Sequence, residues 1–472
     1  MGKLESQLQS YAAGPLYPMH MPGHKRRLSP GGTLPCGWDM TEVEGVDDLH
    51  DTEGILKDAM ERTAALHGAA RTWYLVNGST CGLLAGIRAL VRPGSKILVA
   101  RNCHKAVYHA IELGNLHAHY LLPPTEPLSG IYGSVRPRDV EAMLDTFPKT
   151  ACVVLTSPTY EGVISDIRAI ARICHDRQIP LLVDEAHGAH LGLFPGWPDS
   201  AVHQGADLVV QSAHKTLPSL TQTALLHMPS GSLADPEEVD RQLDIFETSS
   251  PSYPLMASLD GCTELLTTQG AELFSRWLHT LREFDKKAGL LKSLQVLGHS
   301  PKGNPACFYD FDMGKLPIFC GQSGYTAASL AAALRNTFHF ETEMACGYIT
   351  LAMTSPADSQ EAILRFGDAL LALDQQAASC TASAPLTLPE PGRSELPIGQ
   401  ALCRKAVHRP LTEAEGRICA EYIWAYPPGV PLTVPGERIT HDFLNYTARL
   451  RSSGTRLHHS HCKKPGFIQV LA

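Results

Sequence analysis

Three polar signals stand where apolar stretches of this chain end, and each carries residue types suited to chemistry. The run TWYLV gives way to NGST, so that Ser79 and Thr80 open a helix. Small residues at such a start offer backbone N–H groups, two hydroxyls and the positive end of the helix dipole, which together cradle a phosphate. An ordinary helix cap has the same composition. The run IPLLV ends in Asp184, and a carboxylate at the end of a buried apolar strand is costly unless a cation faces it. His187 follows shortly after; with His190 and Asp184 it also makes a partial metal-ligand set, although no further ligand is evident to complete it and no metal is expected. ADLVV then leads to Ser212, His214 and Lys215. A lysine there is either a satisfied ion pair or a desolvated amine of lowered pKa, the form that attacks a carbonyl.

Taken in order, an anion cradle, a strand-end carboxylate and a strand-end amine meet the needs of one cofactor, pyridoxal 5′-phosphate (PLP). Asp184 would pair with its protonated ring nitrogen and preserve the ring as an electron sink, Lys215 would tether it as a Schiff base, and His187 is in reach of the ring hydroxyl. No single signal is specific; their order is.

The elements that must position these residues follow from hydrophobic period. Short continuous apolar runs (TWYLV, SKILVA, ACVVLTSP, IPLLVDEAH, ADLVVQSAHK) alternate with helical patterns such as DTEGILKDAMERTAALHG, STCGLLAGIRALVRPG, HKAVYHAIELGN and DIRAIARICHDRQ. This predicts an α/β layered domain with a mostly parallel sheet buried on both faces. Ligands of such sheets sit beyond the carboxyl ends of the strands, where the polar residues collect. Past residue 245 the texture turns helical (GAELFSRWLHTLREFDKKAGLLKSL), then mixed, as for a smaller α+β region. The expected division is an N-terminal arm at 1–49, a large α/β domain at 50–245, a small α+β domain at 246–374, an Ala/Ser/Pro-rich linker at 375–395 and a C-terminal part at 396–472 that begins helically with LTEAEGRICAEYI.

Composition narrows the class. The chain has 472 residues, of which 44% are hydrophobic, and its net charge is −8, so a large core is available and nucleic acid is a poor partner. Thirteen cysteines without a C-x-x-C pair read as reduced thiols in a cytoplasm. No apolar run is long enough for a membrane helix, and no secretory leader is evident at the start, so a cytoplasmic location is expected. HHSHC at 458–462 reads as incidental imidazoles rather than a metal site.

In order along the chain, MPGHK (21–25), DMTEVEGVDDLH (39–50), LVNGSTCG (75–82), RNCHKAV (101–107), TSPTYEGV (156–163), VDEAHGAH (183–190), QSAHKTLPSLTQ (211–222), TSSPSYPLMASLD (248–260) and YPPGVP…PGE (426–437) resemble the Orn/Lys/Arg decarboxylase family of PLP enzymes. The resemblance implies PLP fold type I, the aspartate-aminotransferase-like architecture, and decarboxylation of arginine, lysine or ornithine to a di- or polyamine and CO2. It assigns Lys215 as the cofactor's covalent tether and Ser79, Thr80, Ser212 and His214 to the phosphate or its flank. Asp184 goes to the ring nitrogen, His104 to the ring face and, less firmly, His187 to the ring hydroxyl. His104 has an alternative as a plain helix-start residue. Lys215 or His214 would return the proton to Cα. Ala106 stands where many relatives have Ser. The large bacterial members carry a wing domain before the PGH motif; here that motif begins at Pro22, so a homodimer is expected rather than a ring. The substrate's distal cation is expected to meet Glu42, Glu44, Asp47 and Asp48 together with the TSSPSYP segment, of the same subunit or reaching in from a partner subunit; a solvated acidic loop is the alternative. Other fold-type-I reactions (aminotransferase, lyase) and a non-catalytic regulator are the competing functions, because fold does not fix reaction.

Overall fold

Alternation of apolar runs and amphipathic helices produces a seven-stranded sheet. Its strands are β1 (Arg71–Leu75), β2 (Lys96–Ala100), β3 (His117–Leu121), β4 (Thr150–Thr156), β5 (Leu181–Asp184), β6 (Leu208–Gln211) and β7 (Ala224–Met228). The computed structural model describes residues 15, 17–19, 42, 47–299, 305–377, 389–425, 429–452 and 455–472. Across the sheet the order is β1-β7-β6-β5-β4-β2-β3. The β2 to β6 strands are parallel, whereas β7, in a stretch with no strand expected from the sequence, lies antiparallel to β1 and β6. Strands β5 and β6 are buried at every position, as continuous apolar runs require.

Helix Gly78–Leu90 presses closely on this sheet. A Cβ at Gly82 would stand 2.5 Å from a Leu75 methyl, and one at Gly86 2.9 Å from a Leu182 methyl. Four residues apart, these glycines share one helix face and let the backbone approach. The approach fixes where the helix start, with Ser79 and Thr80, meets the strand ends.

A 36-residue helix, Tyr253–Ala288, leads out of the large domain, beginning inside the TSSPSYPLMASLD motif. Beyond it, Gln295–Val296, Lys315–Phe319, Ile349–Met353 and Met344–Cys346 form an antiparallel sheet in that order. Ala327–Phe338 and Gln360–Gln376 belong to the same unit, and its core holds Trp277, Phe284, Leu316 and Phe366. Asp310–Phe311 does not join this sheet; it pairs with Val163–Ile164 and so stitches the unit to the end of β4.

The C-terminal part packs on the large domain through a buried ion pair. The Arg101 guanidinium donates to Glu437 at 3.2 Å, to the Tyr108 hydroxyl at 2.7 Å and to the Pro431 carbonyl at 2.9 Å. Both ion-pair partners are almost fully buried, and Thr433 and the Val434 N–H complete the carboxylate's shell. The helical start expected at LTEAEGRICAEYI does not form. One 3-10 turn covers Leu411–Glu413, after which Ile418 and Cys419 bridge to Arg438 and Val470. Long-range partners prevail over helical pattern here: the Glu421 carboxylate accepts from the backbone of Cys462 and Gln469, which no local helix could supply. The expected arm lies almost wholly outside the described residues, as do 378–388 of the expected linker.

Candidate active site

Beyond the carboxyl ends of the parallel strands opens a cavity of about 420 Å³. Of the eight residues singled out in the sequence, Ser79, Thr80, His104, Asp184, His187, His214 and Lys215 line it, and Ser212 stands behind, donating to the Ser79 hydroxyl at 2.9 Å. All eight therefore converge.

Each is placed by a strand end or a helix start. Helix Gly78–Leu90 begins without a side-chain cap, and Gly78 at φ 77° turns the chain so that Ser79 and Thr80 follow directly. The N–H groups of its first turn thus face the cavity end with small hydroxyl residues, a seat for an anion. Asp184 ends β5, and the Ala186 N–H donates to its Oδ1 at 3.1 Å. Burial raises the Asp184 pKa, opposed by the nearby Lys215 charge. Burial likewise lowers the Lys215 pKa, with Asp184 and Glu343 opposing. A buried amine and carboxylate face one cavity from neighbouring strands.

The histidines have assigned tautomers. His104 caps helix Lys105–Leu113, its Nδ1 accepting from the Ala106 N–H at 3.2 Å, so its neutral ring carries the proton on Nε2. Burial, then the Lys215 charge, pushes its pKa down to about 3. His104 is thus a helix cap and also lines the cavity. His214 donates from Nδ1 to the Thr223 carbonyl at 2.9 Å, which leaves Nε2 as an acceptor. His187 lies between two lysines: its Nε2 is 3.0 Å from Lys215 Nζ, and its Nδ1 is 2.9 Å from Lys315 Nζ. Burial drives its pKa far down, so it is a neutral ring. Tyr160 packs its ring on that of His187 at 4.6 Å and hydrogen-bonds to Glu343.

Four cavity residues escaped the sequence reading. Asn102, one residue after the Arg101 strap, has a buried Oδ1 without a protein partner among the described residues. Glu161 brings a carboxyl to the wall, its pKa raised by burial and opposed in part by the Lys315 charge. Tyr132 and Tyr446 sense the Glu161 charge and line the same cavity. Glu161 lies in the TSPTYEGV motif, five residues beyond the buried strand Thr150–Thr156, and a carboxylate after an apolar run is the signal the sequence offers for it.

The acidic N-terminal segment takes another role. Asp47 accepts from the backbone N–H groups of Glu53, Gly54 and Leu56 at 2.8–3.0 Å, ordering the entry to helix Ile55–His67. Tyr253 of the TSSPSYP segment donates to the Asp47 carbonyl. None of Glu42, Asp47 and Asp48 lines the cavity, and Glu44 lies outside the described residues. Within this chain Asp47 and Tyr253 thus order a loop away from the cavity wall. At the far end, His459 pairs with Glu421 at 3.0 Å.

A two-layered α/β unit with a carboxylate and an amine at adjacent strand ends, closed by a second unit, defines the fold class of type I PLP enzymes, and comparison with known proteins agrees. The chain superposes on the Francisella novicida lysine decarboxylase with a TM-score of 0.78 at 18% identity, covering 99% of this chain and 83% of that one. In sequence it is 31% identical to an arginine decarboxylase of Bacillus subtilis over 96% of this chain and 94% of that protein. It is 32% identical to an arginine decarboxylase of Halalkalibacterium halodurans over 92% and 90%. The Orn/Lys/Arg decarboxylase major-domain profile matches residues 5–301, and the C-terminal-domain profile of the same family matches residues 350–468. The chain belongs to the Orn/Lys/Arg decarboxylase family.

Proposed function

We propose that the protein is a PLP-dependent arginine decarboxylase that releases CO2 and the corresponding amine. The observation that carries the reading is the convergence of Asp184, Lys215 and an uncapped helix start on one cavity. The residues fit the cofactor. The helix start with Ser79, Thr80 and Ser212 suits a phosphate. Asp184 suits a cationic ring nitrogen. The partnerless Asn102 Oδ1 marks the space as one meant for a polar occupant.

PLP bound here would supply a sink for the electron pair left when the substrate carboxylate departs. The chain's own groups do the rest. Lys215, its pKa lowered by burial, would hold the cofactor as its nucleophilic tether and would supply a proton from Nζ to the substrate carbon. His214 is bound by its Nδ1–H to a carbonyl and has no proton on Nε2 when neutral, so Lys215 is the better donor. His104 and the apolar side chains Leu83, Ile131 and Leu432 wall the site and exclude water. Glu161, with Tyr132 and Tyr446 close by, suits the distal guanidinium by charge and by ring face.

Arginine is preferred because four of the relatives matched over nearly their whole length bear the name arginine decarboxylase. Free thiols throughout the described residues suit a reducing cytoplasm, and the assembly we expect is a homodimer. Incubating the purified protein and PLP with arginine, lysine and ornithine separately, and identifying the product, tests the reading. Agmatine from arginine is expected; a keto acid, or no CO2 from any of the three, sinks it.

A further inference from the structure

Two lysines share one imidazole at the heart of the cavity. Lys315 lies on the strand Lys315–Phe319 of the second unit and is 1% exposed, yet no motif pointed to it. Its Nζ stands 2.9 Å from His187 Nδ1, and on the other side of the ring Nε2 stands 3.0 Å from Lys215 Nζ. Gly162 makes room for this: a Cβ there would lie 2.8 Å from Lys315 Cγ.

Proton counting restricts the chain of three. A neutral imidazole has one N–H and one bare nitrogen. An ammonium has only hydrogens to offer, so it can face the bare nitrogen alone; the other lysine must then be an amine that accepts from the N–H. The surroundings decide which is which. Lys315 sits in the field of the Asp312 and Glu161 carboxyls, both of which feel its charge. Lys215 faces Asp184 and Glu343 among carboxyls and His104 and His187 among imidazoles, and burial outweighs the carboxyls. The two distances and these surroundings suit Lys315 as the ammonium facing a bare His187 Nδ1, with Nε2–H directed at Lys215.

We propose that Lys315 is a positioning residue which, by fixing the His187 tautomer, holds Lys215 as a free amine ready to capture the cofactor aldehyde. Capture joins the amine lone pair to the aldehyde carbon; both amine hydrogens leave with the carbonyl oxygen as one water. A protonated Lys215 has no lone pair to give. The tautomer set by Lys315 also leaves an N–H at Nε2, the donor suited to a ring hydroxyl once Lys215 has moved on. The inference rests on the reading of Lys215 as the tether.

The test uses full-length apoenzyme, PLP as the probe, and the wild type beside Lys315→Met, Lys315→Arg and His187→Phe. The visible absorbance of the lysine adduct is followed after PLP addition across a pH series, and the His187 ring nitrogens are read by 15N NMR in the apoenzyme. Lys315→Met is expected to raise the midpoint pH of capture by about one unit, slow capture at pH 7 by about tenfold, and lose the pure Nε2–H tautomer. Lys315→Arg, which keeps a charged donor, is expected to restore most of the wild-type profile. His187→Phe removes the ring nitrogens without emptying the space and is expected to shift the midpoint upward as well, which keeps the test open should Lys315→Met not fold. Wild-type apoenzyme that binds no PLP at any pH defeats the tether itself. Normal capture with an unmoved midpoint in Lys315→Met, or in His187→Phe if the former does not fold, defeats the role of Lys315 alone.

Discussion

Glu185, next to Asp184 in the chain, gives a prediction whose size and sign follow from geometry. Its carboxyl is 2% exposed and is held by the Ser200 hydroxyl at 2.6 Å, the Ala201 N–H at 2.9 Å and Gln211 Nε2 at 2.7 Å. Burial nevertheless lifts its pKa from 4.5 to about 7, because neutral donors do not replace bulk water around a charge. Below pH 4.5 the group is protonated in both folded and unfolded chains and contributes nothing to the pH dependence. Between 4.5 and 7 the unfolded chain gives up its proton while the folded one keeps it, so stability falls as pH rises. Above 7 the deficit is complete, roughly 3 kcal/mol at about 1.36 kcal/mol per tenfold. Glu185→Gln removes the titration. Its new amide faces Gln211 Nε2, donor against donor, which costs about 1 kcal/mol at every pH. The informative quantity is therefore the change in the variant's relative stability between pH 5 and pH 8. Thermal unfolding at both pH values, with cofactor saturating, should show the variant gaining about 3–6 °C on the wild type as pH rises. A difference in melting temperature that is the same at pH 5 and pH 8 would refute the argument.

Further expectations are open to direct measurement. Lys215→Ala should abolish decarboxylation and the cofactor's lysine adduct in the visible spectrum. Glu161→Gln should raise KM for arginine by about ten- to a hundredfold, for the loss of a charged hydrogen bond worth roughly 1.5–3 kcal/mol, while leaving that spectrum intact; unchanged KM would remove Glu161 from the substrate site. Arg101→Met should destabilise by about 3–5 kcal/mol, because Glu437 is left as an unpaired buried charge, whereas the pair Arg101→Met with Glu437→Leu should recover most of the loss in denaturation experiments. Asp47→Ala should lower the melting temperature through about 1–2 kcal/mol of lost helix-entry bonds and leave KM unmoved; a raised KM would return that loop to the active site.

The parts of the site that could be read in sequence are those whose burial is created locally. Asp184 and Lys215 each end an apolar run, so strand end and polar side chain are visible together. Lys315 was hidden, because its run GKLPIF says nothing of the imidazole 128 positions earlier that it meets. For Asp47 an acidic loop suggests a cation, whereas within this chain its oxygens accept from neighbouring backbone N–H groups, a pairing that composition does not display. β7 escaped because ALLHM is short and ends at a proline, although it completes a buried polar chain in which Thr72 donates to His227 and His227 to Gln211. LTEAEGRICAEYI had helical period and lost it to partners fifty residues away.

The buried Arg101 to Glu437 pair has a consequence for how the molecule is born. Residues past 420 supply Ala425, Leu432 and Tyr446 to the cavity wall, and among the described residues Glu437 is the carboxylate that pairs with the guanidinium preceding Asn102 and His104. A nascent polypeptide that has emerged with its amine and carboxylate in place still holds a roofless, wet chamber with a stranded cation at its edge. The chamber is therefore complete only once residues past 420 have packed on the large domain, and a product cut short before them would lack part of its wall even with Asp184 and Lys215 in place.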